Sequence, residues 1–313
     1  MKPRNILVTC PPMLGLREQF DPILDQAGFK AVCPEVTQTL TEEELINIVP
    51  QCEGWIIGDD PATRRVFEAG VAGKLKAAVK WGIGVDNVDL LACKDLAIPI
   101  TNTPGMFGNE VADVAMGYLL SLARYLHVID RGVRDGAWPK NRGMSLHGKT
   151  VGIVGYGDVG RNTANRCQAF GLNTIVYDPA VTEETVADVR LSTWPLEIGE
   201  CDFLIFTCSL NDYNFHMLNE EVLSHCKDGV RIINVARGQL IDERALVASL
   251  KSGKVHSAAL DVFEVEPLPS DSGLRDQEFC IFGTHNSSNT LEAVMKTNQL
   301  AIEKLVGFLS KPQ

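Results

Sequence analysis

TVGIVGYGDVGRN, residues 150–162, is the stretch on which the reading of the fold turns. A run of β-branched and small apolar residues leads into Gly155, Gly157 and Gly160, spaced G-x-G-x-x-G, and the helical pattern DVGRNTANRCQAFG follows. In a strand–turn–helix of this kind the first glycine permits a tight turn and the second lets backbone approach a pyrophosphate. The third lets the helix pack close on the strand. The helix N-terminus then offers unpaired N–H groups and partial positive charge to phosphates. Glycine turns also arise for steric reasons alone, so the neighbouring sequence has to carry the assignment. The next strand-like run, NTIVY, ends at Asp178, where a carboxylate can accept hydrogen bonds from a ribose. The same carboxylate repels a 2′-phosphate, and the PAVTEET that follows brings no arginine to hold one. The segment reads as a dinucleotide site with NAD preferred over NADP. Asp178 also suits a turn before Pro179, and the two readings are compatible. Arg161 fits either a phosphate contact or an exposed helix face.

Outward from this loop, apolar runs alternate with helical patterns along most of the chain. Strand-like segments are NILVT (5–9), GWIIG (54–58), AAVK (77–80), TVGIVG (150–155), NTIVY (173–177), DFLIF (202–206), VRIINV (230–235) and HSAALDV (256–262). Between them lie stretches such as TEEELINIV, RRVFEAG and DERALVASL. Strands that are nearly all apolar, separated by helices, predict an α/β protein with parallel sheet covered on both faces. The longest helical pattern is residues 109–133, and Pro104-Gly105 before it marks a break between units near residues 100–105.

The 313 residues suffice for two domains. A net charge of −11 argues against broad contact with nucleic acid or anionic membrane, which needs clustered lysine and arginine. No signal-peptide pattern opens the chain, and no apolar run approaches a membrane span. The nine cysteines are scattered, odd in number and never spaced C-x-x-C, which fits reduced thiols in a cytoplasmic protein better than disulfides or a zinc site. No metal is expected.

Chemistry on an alcohol or carbonyl beside a nicotinamide needs a proton-exchanging group and a cation to hold the substrate. Histidine suits the first task, with an unperturbed pKa near neutrality. His127 and His225 fall in helical patterns, His147 reads as a turn residue, and His216 and His256 flank elements without an acidic partner in an obvious motif. His285 follows the apolar CIF and opens a Ser/Asn-rich loop, where the carboxyl ends of parallel strands face ligands. The residues alone rank it first without deciding it.

INVARGQLIDERAL, AALDVFEVEP and FGTHNSSNT, downstream of the glycine loop, resemble the D-isomer-specific 2-hydroxyacid dehydrogenases, as do the earlier GIGVDNVDL and TNTPGMFGNEVAD. The phosphoglycerate-dehydrogenase-like branch is the most similar, in a short form without a regulatory domain. The resemblance implies two doubly wound parallel-sheet domains. A Rossmann NAD domain, residues 102–287, would be inserted into a flavodoxin-like substrate domain, residues 1–101 and 288–313, with the active site in the cleft. It implies catalysis by Arg237, which would bind the substrate carboxylate, and by Glu266, hydrogen-bonded to the acid–base His285. Arginine's rigid charged fork suits that first role, and a neighbouring carboxylate favours the imidazolium. Val235, Ala236, Cys208 and Asp261 would line the cofactor, Asp261 facing the carboxamide, and Asp158 and Val159 would meet the pyrophosphate. Gly82, Ile83 and Gly84 would give backbone N–H groups to the substrate carboxylate, with Lys80 beside them. Asp86 and Asp89 read better as helix-start residues. The long helix and the GVRDGAWPKNRGMSLHG loop resemble elements by which family members pair as homodimers.

Three features depart from the family pattern. Thr284 replaces a common proline before the histidine, and Ser287-Ser288 replace small residues after it, so the histidine is expected to rely more on Glu266. Thr207-Cys208-Ser209 replaces a His-x-Pro run along the cofactor wall. At the substrate end, Gly58-Asp59-Asp60 and Lys80 stand where arginines occur in members using phosphorylated acids. Two aspartates repel a phosphate and one lysine attracts it, so the sequence leaves 3-phosphoglycerate and smaller acids such as glycerate or glyoxylate both open. It also leaves open an NAD(H)-sensing regulatory protein of the corepressor type, since the same trio is compatible with that role.

Overall fold

The structure, a computed structural model, describes residues 4–182 and 189–310. Glu183 and Glu184 of the acidic stretch after Asp178 lie outside the described residues. The chain divides into two compact units, one ending at Met106 and resuming at Asn289, the other running from Phe107 to Ser288.

The first unit is built on a five-stranded parallel sheet. Its strands are β1 (Arg4–Val8), β2 (Phe29–Val32), β3 (Gly54–Ile57), β4 (Ala77–Lys80) and β5 (Ile100–Asn102), in the order β2-β1-β3-β4-β5. This is the flavodoxin-like order. Every residue of β3 and β4 is buried, because helices cover both faces. Leu7, Leu45, Trp55, Ile57, Val66, Phe67 and Ala78 form one core on this sheet. The helix Leu291–Leu309 returns to the unit from the far end of the chain and packs on β3 and β4. Leu305 and Leu309 press so closely on Gly54 that a Cβ there would lie 3.0–3.1 Å from their methyl groups. Asn298 of this helix accepts a hydrogen bond from the Trp81 indole at 2.8 Å.

The second unit holds seven strands: β6 (Thr150–Val154), β7 (Asn173–Tyr177), β8 (Arg190–Leu191), β9 (Phe203–Phe206), β10 (Val230–Asn234), β11 (Val255–Leu260) and β12 (Ile281–Phe282). All pair in parallel, in the order β12-β11-β10-β9-β6-β7-β8. Chain order runs outward from β6 in both directions, which makes the β6 end the switch point of a Rossmann sheet. Val154, Tyr177, Leu204, Phe206, Ile232 and Leu260 share its core. The helix Gly108–Arg124 buries Ala112, Ala115, Met116 and Leu119 and packs on the helix Asp158–Ala169.

The eight strand-like runs all form strands, within a residue or two at their ends. β2, β5, β8 and β12 were not legible in the sequence. They are two to four residues long, mostly partly exposed, and lack the uninterrupted apolar pattern. The single helix expected over 109–133 is two. Tyr125 takes a left-handed conformation (φ 57°) between Gly108–Arg124 and Leu126–Arg134. That turn lets the Tyr125 hydroxyl meet His256 Nε2 at 2.8 Å and its ring sit edge-on to Phe279.

Candidate active site

The glycine loop follows β6 directly. Gly155 has φ +95°, and a Cβ on it would strike the Cys208 backbone at 2.6 Å. A Cβ on Gly160 would stand 2.1 Å from the Gly155 carbonyl oxygen, so the helix Asp158–Ala169 lies directly against the turn. A Cβ on Gly157, by contrast, would meet nothing within 4 Å. Two glycines close the turn and the third leaves its outer side open, which fits a pyrophosphate at the first backbone N–H groups of the helix. The Asp158 carboxylate accepts from the Asn162 amide and lies against Gly108, leaving the backbone to meet the phosphates. The Thr207 hydroxyl donates to the Val154 and Gly155 carbonyls, so this departure from the family pattern braces the loop.

Asp178 ends β7 beside the same loop. One carboxylate oxygen accepts from the Tyr156 amide at 2.7 Å and the other from the Ala180 amide at 2.9 Å. It is a turn residue that also ties the second strand to the glycine turn. Arg161 donates to the Tyr156 carbonyl at 3.2 Å. Burial pushes the Cys208 thiol up to about 12, so this residue offers bulk and not a thiolate.

Three further loops leave the carboxyl ends of the neighbouring strands β10, β11 and β12, and each carries one of the expected catalytic residues. Val235 and Ala236 lead from β10 into Arg237, whose guanidinium donates to the Ala236 carbonyl at 2.8 Å. Immediately after it the chain is pressed onto the β11 loop. A Cβ on Gly238 would overlap the Phe263 carbonyl carbon at 1.8 Å, and Gln239 donates to the Glu264 carbonyl. Glu266 then uses Oε1 to accept the Phe263 amide at 3.0 Å, while Oε2 lies 2.8 Å from Nδ1 of His285. His285 and Glu266, nineteen residues apart in the chain, are in direct contact.

The His285 loop is held in a strained form. His285 itself has φ 54°, in the left-handed region. Its amide donates to the Asp261 carbonyl at 2.7 Å, the Asn286 and Ser287 amides donate to the Asp261 carboxylate, and so does the Ser287 hydroxyl. Tyr118 donates to the same carboxylate at 3.3 Å. Asp261, expected to face a carboxamide, is 2 % exposed and spends its oxygens on this loop. The histidine therefore does not rely on Glu266 alone. Ser287, which read as a departure from the family pattern, makes two of the anchoring bonds, through its amide and its hydroxyl.

Sequence reasoning missed several groups. Glu243 and Glu264 exchange hydrogen bonds, each carboxylate accepting the other's amide at 2.7–2.8 Å. Burial, with the charges of Glu264 and Glu266, raises the Glu243 carboxyl above the usual range. His216, read as lacking an acidic partner, lies 3.3 Å from Glu264. Their partners are 21 and 48 residues distant, and only the fold brings them together. Burial and the Arg231 charge depress His256 to about 4. His127 donates from Nε2 to the Phe279 carbonyl at 2.9 Å, a packing role.

In the first unit, two expectations change. Gly82 donates its amide to the Thr103 hydroxyl at 2.7 Å, so of the glycine turn only Ile83 and Gly84 remain as donors for a carboxylate. Lys80, expected to present a cation, is buried, with its ammonium 2.8 Å from the Trp81 carbonyl and 3.2 Å from Asp59. No helix among the described residues is long and apolar enough to cross a membrane, and the nine cysteines are free thiols.

Residues 116–287 match the family described as D-isomer specific 2-hydroxyacid dehydrogenase, NAD binding domain. The chain is 39% identical over 276 residues to a D-3-phosphoglycerate dehydrogenase of Rattus norvegicus, covering 87% of this chain and 51% of that one. It is 37% identical over 278 residues to a hydroxypyruvate reductase of Thermotoga maritima, covering 87% and 90%. The chain thus spans about half the length of the mammalian relatives it matches. Among solved structures, a glyoxylate reductase from Paecilomyes thermophila is similar with a TM-score of 0.83 at 27% identity, covering 99% and 97%.

Proposed function

Because the chain belongs to the D-isomer specific 2-hydroxyacid dehydrogenase family, we propose that it is an NAD-dependent oxidoreductase interconverting a 2-oxo acid and the matching D-2-hydroxy acid. The observation that carries this reading is the 2.8 Å contact between His285 Nδ1 and Glu266, at the carboxyl ends of adjacent strands of the NAD-binding domain. Glu266 accepts a hydrogen bond from Nδ1–H, so Nε2 is the nitrogen that gives a proton to the substrate oxygen and recovers it in the oxidative direction. NAD held in this site would supply the hydride chemistry at C2. Gly155, Gly157, Asp158, Val159 and Gly160 hold its pyrophosphate through backbone, Asp178 takes the adenine ribose, and Cys208, Val235 and Ala236 line the site.

Arg237 holds the substrate carboxylate and polarises the 2-oxo group. Its loop is pinned against that of Glu266 at Gly238, which fixes the register of the two side chains' backbones. In the first unit, the amides of Ile83 and Gly84 are donors suited to a carboxylate. The relatives named for phosphoglycerate, hydroxypyruvate and glyoxylate have in common a carboxylate next to the reacting carbon, and this shared part is what the reading assigns. The protein acts as a cytoplasmic homodimer, a reading supported by its free thiols and by Leu126, Val133 and Trp138, exposed within thirteen residues of one another.

The test is direct. Purified protein is mixed with NADH and a panel of 2-oxo acids, and the absorbance of the reduced nicotinamide is followed. Turnover of at least one acid is expected. Binding of NADH with no turnover of any acid favours a sensor of the corepressor type.

A further inference from the structure

We infer that the substrate carries its carboxylate as the one anionic group, and that the Asp59–Lys80 ion pair excludes a phosphorylated tail. The inference rests on the dehydrogenase reading above. Ligands of open parallel sheets dock at the carboxyl edge of the strands, so the charges along that edge of the first unit decide which tails are welcome. Past β3 the edge carries Asp59 and Asp60, past β4 it carries the glycine turn and Asp86, and β4 itself ends in Lys80. One lysine stands among three aspartates.

That lysine is already committed. Its ammonium donates to the Trp81 carbonyl at 2.8 Å and to Asp59 Oδ1 at 3.2 Å, and its side chain is 4% exposed. Gly82 sits over it, a Cβ there falling 3.8 Å from Nζ. A phosphate dianion needs cations or a converging set of N–H donors, and here the cation is neutralised in place. Withdrawing Asp59 from a pair this deep leaves a buried charge without compensation, which is strongly unfavourable.

The loop that carries Asp59 is also fixed. Fully buried Asp60 accepts from the Leu40 amide at 2.9 Å, the Gly58 amide at 3.2 Å and the Thr9 hydroxyl. Asn87 donates to the Gly58 and Asp60 carbonyls at 3.1 and 2.7 Å, stitching the β3 loop to the segment after the glycine turn. Swinging Asp59 aside to uncover Lys80 would break this arrangement. What the turn does present is Ile83, 52% exposed. Beside it the Asp59 carboxylate, about a third exposed, is an acceptor suited to a hydroxyl. The edge fits a small uncharged tail: a hydrogen, a methyl or a hydroxymethyl group.

The experiment compares kcat/KM with NADH for glyoxylate, pyruvate, hydroxypyruvate and 3-phosphohydroxypyruvate, in the wild type, in Asp59→Asn and in Asp59→Asn combined with Lys80→Met. In the wild type at least one unphosphorylated acid should exceed the phosphorylated one by about a hundredfold, the upper scale of the penalty for an unsatisfied buried group. Asp59→Asn should raise kcat/KM for the phosphorylated acid by about tenfold, mainly through KM, as the lysine charge is released. The double variant should lose that gain. NADH binding, read by fluorescence, checks that each variant is folded. The inference is overturned if the wild type handles the phosphorylated acid as well as the others, or if Asp59→Asn leaves the ratio unchanged. Loss of turnover on every acid with NADH still bound would instead bring down the dehydrogenase reading, and this inference with it.

Discussion

His285 pays for its position with a left-handed backbone, and the bonds from its loop to Asp261 are what sustain it. A substitution meant to probe the imidazole should respect that conformation. Asparagine tolerates positive φ better than other non-glycine residues, so His285→Asn isolates the side chain. Turnover should fall by about 10²–10⁴-fold while NADH affinity stays unchanged; stopped-flow reduction and fluorescence titration measure the two. Equal loss of both would mean that the imidazole is structural. Asp178→Ala should narrow the preference for NADH over NADPH, since the carboxylate that repels a 2′-phosphate is gone. An unchanged ratio of the two kcat/KM values would refute the ribose assignment. At this scale the sequence was informative where a residue sits inside a motif. Glu266 and His285 could be named as partners because both belong to recognisable stretches. The pairs His216–Glu264 and Glu243–Glu264 could not, because no local pattern announces a contact made by packing one loop on another.

Elements whose pattern is uninterrupted were legible, and those that depend on their neighbours were not. The eight apolar runs are strands because burial on both faces demands nothing but apolar residues. β12 is two residues long and exists by pairing with β11, so the CIF run signalled only that a loop was coming. The left-handed break at Tyr125 was equally invisible, since its reason is the distant His256. The β6 turn allows a steric prediction. Gly160→Ala places a methyl group 2.1 Å from the Gly155 oxygen, which should cost about 1–3 kcal/mol of stability. It should also weaken NADH binding; denaturant unfolding and titration would show both. The helix break allows another. With His256 held near 4, the unfolded chain takes up a proton between about pH 6.5 and 4 that the folded one refuses. Stability should therefore fall as pH drops through that window. In His256→Gln the slope of Tm against pH should be shallower there, and an unaltered slope would show that the ring titrates normally.

At the scale of the whole molecule, Leu126, Val133 and Trp138 are among the exposed large hydrophobics, Trp138 being 76% exposed, and the homodimer reading places them at the interface. Trp138→Asp should shift the protein from dimer to monomer in sedimentation velocity, and a dimer of undiminished affinity would place the interface elsewhere. The crossing of the chain between units has a consequence for its biogenesis. The unit from Phe107 to Ser288 is continuous and can complete itself as soon as it has left the ribosome. The sheet of β1 to β5 is synthesised earlier, yet the helix that shields β3 and β4 arrives only with residues 291–309. The earlier part is thus finished later, and for the whole interval its buried central strands lack the helix that covers one side of them. A nascent chain of this design should engage a chaperone through its first hundred residues until the final helix emerges.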